Sequence, residues 1–151
     1  MGRRPGGDAR RGPGAGVVTS LLVDSSVWIA LFRGGAPDLR ERLAAVTTTG
    51  DRIATSEPIS LELLAGATDR SLPRLERLVE GLAVLDVDPH IDFRTAAALS
   101  RASRARGRSV RSLMDCLIAA IAIRHDAVLV HRDRDFDALA AVSSLRAERW
   151  D

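Results

Sequence analysis

Short apolar runs alternate with longer amphipathic stretches along this chain, and the two periods predict alternating strands and helices. Residues 21–23 form an apolar run too short for a helix, read as a buried strand that Asp24 ends. Ser25 or Ser26 then caps a helix carrying Val27, Ile29, Ala30 and Phe32, stopped at Gly34-Gly35. Leu39, Leu43 and Ala44 recur at helical spacing over 38–46. A second strand is predicted over 52–55, followed by a helix that Ser56 caps, with Pro58 in its first turn and Gly66 at its end. Then come a helix over 75–80, a strand over 82–87 and an Ala-rich helix over 91–104. Ser112 caps the apolar stretch LMDCLIAAIAIRH. A strand over 127–130, a short helix over 135–140 and an edge strand over 142–149 complete the pattern. Strands alternating with helices predict an α/β fold with a central, mostly parallel sheet flanked by helices.

The first 17 residues break this pattern. They hold six glycines, two prolines and four arginines, and cannot bury a core, so residues 1–17 are expected to be a disordered tail and 18–151 the folded domain. A twin-arginine export signal would need a longer apolar stretch than the one that includes Thr19 and Ser20 and runs into Asp24. An RNA-binding arm is the other use of such a tail. The longest apolar run, 116–123, is far below the ~18 residues of a membrane span.

Composition narrows the chemistry. A single cysteine, Cys116, rules out an internal disulfide, and with only three histidines (His90, His125, His131) a zinc centre of sulfur and nitrogen ligands is not expected. A reduced, cytoplasmic setting follows as the default. All 22 basic residues are arginine, which removes lysine Schiff bases and lysine-dependent phosphate loops. Four of these arginines lie in the tail, so the domain itself is near neutral and bulk charge does not argue for nucleic acid. Five aromatic residues and no tyrosine argue against base-stacking platforms, leaving the backbone as the part of any nucleic acid to be held.

Four acids stand out from the solvated majority. Asp24 follows the first strand, and the carboxyl ends of strands are where open α/β sheets place their sites. Glu62 lies among Ile59, Leu61, Leu63 and Leu64. Asp115 opens a helix whose next eight residues have no charged side chain, where an uncompensated carboxylate is costly; Ser112 and Asp115 also fit a capping box. Asp133 follows the strand ending in Val130-His131, with Asp135 and Asp137 at alternate positions beyond it and Arg132 and Arg134 placed to pair with them. Clustered carboxylates repel one another unless they share a hard cation, and oxygen ligands suit Mg²⁺ or Mn²⁺. Such a site suits metal-assisted hydrolysis of a phosphodiester.

The motif order LLVDSSVWIALFRG, ISLELLAGA, SLMDCLIAAIAIRH and VLVHRDRDFDALA resembles PIN-domain ribonucleases, specifically the VapC-like toxins of toxin–antitoxin pairs, over residues 21 to about 140. The resemblance implies a PIN-like fold and a catalytic set of Asp24, Glu62, Asp115 and Asp133. Asp24, Asp115 and Asp133 would hold Mg²⁺ or Mn²⁺, with Glu62 and Asp135 as further possible ligands. It also implies an RNA substrate, a cognate antitoxin and a homodimer, with Trp28, Ile29, Phe32 and Leu64 as possible lining of an antitoxin groove, or simply core. Ser25 or Ser26 matches the hydroxyl that follows the first aspartate. Substrate contacts are expected from Ser25, Arg108, Arg111 and Arg132, with Arg101, Arg104 and Arg106 completing a basic run before Asp115. His131 departs from the threonine common at this place; it can titrate near neutrality, serve as a ligand, or only fill the strand end.

Rival readings are weaker. An aspartyl-phosphate phosphatase needs an aspartate where Ser26 stands, a receiver domain needs lysine, and no helix-turn-helix signal is present. A catalytically silent PIN-like interaction module remains the alternative, against which the four acids argue.

Overall fold

The computed structural model describes residues 16–34 and 36–151, so nearly all of the expected tail lies outside the described residues. Five strands form one sheet: β1 (Ser20–Val23), β2 (Arg52–Thr55), β3 (Ala83–Val84), β4 (Val128–His131) and β5 (Arg146–Arg149). Their order is β3-β2-β1-β4-β5 and all four pairings are parallel. The helices are α1 (Ser25–Phe32), α2 (Pro37–Thr48), α3 (Glu57–Ala65), α4 (Leu72–Gly81), α5 (Asp92–Ala105), α6 (Leu113–Arg124) and α7 (Arg134–Ala140). The strands β1 and β4 sit side by side at the centre, with Leu22 opposite Leu129. Both leucines are fully buried, as expected for a parallel sheet covered on both faces.

The helix α6 explains its own composition. Cys116 through Ala122 are all buried, so the helix runs through the core, which is why it lacks a polar face. Ser112 caps it by accepting from the Asp115 amide, although at 3.4 Å.

Local differences from the sequence reading have physical causes. Asp24, not Ser25 or Ser26, is the residue capping α1, because the chain is still extended at Asp24 and already helical at Ser25. Ser56 precedes α3 without a side-chain capping bond. The strand β3 has two residues rather than six: after Leu85 donates to the Thr55 carbonyl, the chain leaves the sheet and Val87 bonds instead to the Glu57 carboxylate. The strand β5 starts at Arg146, because Ser143 closes a turn by donating to the Leu139 carbonyl and accepting from the Leu145 amide. No helix among the described residues is long and apolar enough to cross a membrane.

Candidate active site

In the order β3-β2-β1-β4-β5 the chain fills one half of the sheet outward from β1 and then restarts beside it with β4. The crevice at the carboxyl ends of β1 and β4 is therefore the switch point, where open α/β sheets bind ligands. Asp24 is fixed there by its amide, which donates to the Val130 carbonyl at 2.9 Å and extends the β1–β4 ladder by one residue. Its Oδ2 accepts from the Ser26 hydroxyl at 2.6 Å and from the Ser26 amide at 3.0 Å. The same Ser26 hydroxyl accepts from the Arg132 amide at 3.1 Å, so one serine ties the ends of the two central strands together. Asp24 Oδ1 is buried and has no hydrogen-bond partner among the described residues.

Glu62 reaches the crevice from α3. Its Oε2 accepts from the Ser25 hydroxyl at 3.1 Å, while Oε1 is buried and unpartnered. Asp115 enters from the first turn of α6, and Asp133 caps α7 by accepting from the Asp135 amide. Carboxylate oxygens of Asp115, Asp133 and Asp135 all lie within 4.8 Å of one another. The structure thus brings the four sequence-derived acids to one place and adds Asp135 to the tightest group; Asp24 and Glu62 border that group and act on it through their charge.

Electrostatics follow from this crowding. Burial, then repulsion from Asp24, Asp133, Glu62 and Asp135, pushes the Asp115 carboxyl up to about 7. Burial raises Asp24, partly offset by its bonds from Ser26 and by the nearby His131. Burial and the charge of Asp24 raise Glu62, offset in part by Ser25. Carboxylates with unpartnered oxygens and raised affinity for protons are seeking positive charge, and an all-oxygen donor set fits Mg²⁺ or Mn²⁺. The residues therefore fit a hard divalent cation.

Other expected residues fall differently. His131 is fully buried against Phe136; its Nδ1 accepts from the Asp133 amide and its Nε2 lies 3.4 Å from Asp137 Oδ1. Burial lowers its affinity for protons, and it stands outside the carboxylate group, so it fills the strand end. Arg132 and Arg134 do not pair with the alternating acids; Arg111 approaches Asp135 at 3.8 Å and Arg149 binds Asp137 at 3.2 Å. Arg108 and Arg111 line one cleft beside the site and Arg132 lines another. Arg101, Arg104 and Arg106 are exposed and line neither. Of the suggested groove residues, Trp28 is core, Phe32 and Leu64 are half-buried, and Ile29 alone is well exposed.

The sequence reading missed two features. Ser26 was only an alternative hydroxyl, and its bridging role depends on Arg132, 106 residues away. Asp92 passed as a solvated acid, yet it is fully buried and held by Arg124. An arginine closing the apolar α6 is the one sequence signal that could have pointed to a buried partner.

Comparison with known proteins places this arrangement. The PIN domain family matches residues 21–142. The chain is 49% identical over 129 residues to VapC ribonuclease Mb1587 of Mycobacterium bovis, covering 84% of this chain and 96% of that protein. It has the same identity and coverage with Ribonuclease VapC11 of Mycobacterium tuberculosis. Among solved structures, DNA-bound VapBC from Salmonella typhimurium superposes with a TM-score of 0.67 at 26% identity, over 89% of this chain and 99% of that one. VapBC2 from Rickettsia felis, bound to a promoter DNA fragment, gives 0.74 over 88% and 100% of the two chains; at 18% identity that likeness is one of fold. A family match across most of the domain, joined to relatives of this identity along almost their whole length, makes this chain a PIN-domain protein of the VapC ribonuclease group.

Proposed function

We propose that this protein is a Mg²⁺- or Mn²⁺-dependent endoribonuclease and the toxin of a toxin–antitoxin pair. The observation that carries the proposal is the convergence of five carboxylates at the sheet's switch point, two of them with a buried, unpartnered oxygen. In this reading Asp24, Asp115 and Asp133 hold the cation, with Glu62 and Asp135 as further oxygen donors. The bound cation supplies an activated water and offsets negative charge that develops on the phosphate.

The chain's own residues do the rest. Ser26 holds Asp24 Oδ2 and leaves the buried Oδ1 without a partner among the described residues. Ser25 holds Glu62 in the same way, leaving Oε1 free to take a proton. Arg108, Arg111 and Arg132 border the acids and are suited to hold phosphate oxygens of the substrate. Hydrolysis breaks one P–O bond and adds water across it, leaving a phosphomonoester and a hydroxyl. The solved relatives named above are VapBC complexes, which supports a cognate antitoxin as partner. A homodimer in the cytoplasm belongs to the same proposal and rests on family resemblance.

Calorimetric titration of Mn²⁺ and Mg²⁺ into wild type and Asp24→Asn tests the centre. Wild type should bind and the variant should not. Cleavage of RNA should fall on the order of 10²-fold or more in folded Asp24→Asn and Asp115→Asn. Absence of metal binding in folded wild type would instead favour a silent interaction module.

A further inference from the structure

Two arginine-lined clefts adjoin the acidic centre. The first is lined by Arg108, Arg111 and Arg134 with Asp135 and Asp137, between the α5–α6 connection and α7; its volume is about 450 Å³. The second is lined by Arg33 and Arg132 with Ser26 and Ile29, between α1, the start of α2 and the β4–α7 connection; its volume is about 460 Å³. Each shares a residue with the centre: Asp135 belongs to the carboxylate group, and Ser26 holds Asp24. The run Arg132-Asp133-Arg134 shows the layout in three residues. Asp133 faces the acids, Arg132 lines one cleft and Arg134 the other.

Of these arginines only Arg111 is ion-paired among the described residues, lying 3.8 Å from Asp135. Among the described residues, no carboxylate lies within 4 Å of Arg33, Arg108, Arg132 or Arg134, although acids are plentiful nearby. Arg124, by contrast, is paired with Asp92 and Arg146 with Asp126. Arg134 also opens α7, an end where the helix dipole favours acids rather than a cation.

We infer that the two clefts are phosphate subsites on either side of the scissile bond, so that a single RNA strand crosses the carboxyl edge of the sheet with Arg134 holding it on one side and Arg33 on the other. The inference rests on the ribonuclease reading and adds the path of the strand. An arginine fork matches two phosphate oxygens and ignores the base, which suits a site with no aromatic platform. Two separated subsites require a substrate that spans both. A dinucleotide reaches at most one.

The test measures binding of a fluorescein-labelled, mixed-sequence single-stranded RNA 12-mer by anisotropy in Mg²⁺, in an Asp115→Asn background that keeps the RNA intact. Arg33→Gln and Arg134→Gln should each weaken binding roughly fivefold and lower the slope of log affinity against log salt by about 0.7. The double substitution should lose the product of the two. Arg52→Gln, at the amino end of β2, should change neither quantity, and neither arginine substitution should lower dinucleotide affinity as much as 12-mer affinity. Unchanged 12-mer affinity and slope in both arginine variants, with binding present in the background protein, would overturn the inference and leave the ribonuclease reading intact. No binding in the background protein, and no cleavage by wild type, would overturn both.

Discussion

Asp115 is 8% exposed, faces four other carboxylates, and titrates at about 7. The folded state therefore holds this proton more tightly than the unfolded chain, whose ordinary value is 3.8. Stability from this group is fully present below the lower value and is lost as pH rises through about 7. Asn cannot ionise and carries no such loss. In metal-free buffer, the stability of wild type relative to Asp115→Asn should thus fall by an amount on the order of 2 kcal/mol between about pH 5 and pH 8. Urea denaturation at the two pH values measures it. A constant difference would mean that Asp115 is not ionising under this strain. The residue that makes the site costly to fold is the one the proposed cation would relieve.

At the scale of elements, α5 and α6 form the most extensively packed helix pair among the described residues, and an ion pair between the exposed Arg124 and the fully buried Asp92 locks them. Arg124 in the last turn of α6 donates through Nε to Asp92 Oδ1 at 2.9 Å and through a terminal nitrogen to Oδ2 at 3.0 Å. The Asp88 amide also donates to Oδ2 at 2.7 Å. Burial alone would raise the Asp92 carboxyl, but these donors hold it below its ordinary value. The same guanidinium bonds the Asp86 carbonyl and so secures the connection between β3 and α5. Removing one partner leaves a buried charge unanswered, so Arg124→Ala should cost about 3 kcal/mol in chemical denaturation. Asp92→Asn combined with Arg124→Met should cost less than Arg124→Ala alone, because no charge is then stranded. This latch is remote from the acids by its elements, and RNA cleavage should survive Arg124→Ala at temperatures where the variant stays folded.

For the whole molecule, the site exists because two strands distant in sequence become neighbours. Ser26 is the physical tie between them, joining Asp24 at the end of β1 to the Arg132 amide beyond β4. Ser26→Ala should destabilise the fold by about 1 kcal/mol, the ordinary worth of a lost hydrogen bond with a stranded donor. It should lower metal affinity by about 10-fold or more, since Asp24 loses the bond that aims it. Calorimetry against a melting curve separates the two effects. A stability loss without any loss of metal affinity would reduce Ser26 to a structural tie.

Much of this was legible in the residues. Strand and helix order, the parallel sheet and the four acids all follow from local periodicity, from strand-end placement and from the motif order, because each is written within a few neighbouring positions. The strands β3 and β5 are shorter than their local pattern predicts because the bonds that end them come from Glu57 and Ser143, outside the strands themselves. The cap of α1 went to Asp24 because the β1–β4 ladder keeps that residue extended. Chain chemistry thus determined which groups are available: carboxylates at strand ends, arginines without lysines, and an apolar helix opened by an acid. Folding decided which oxygens of Asp24 and Glu62 are left without partners, that Asp135 joins Asp115 and Asp133, that Asp92 is buried, and which arginines flank the centre. Those are matters of distance between residues far apart in sequence, and distance is created only when the sheet closes around its core.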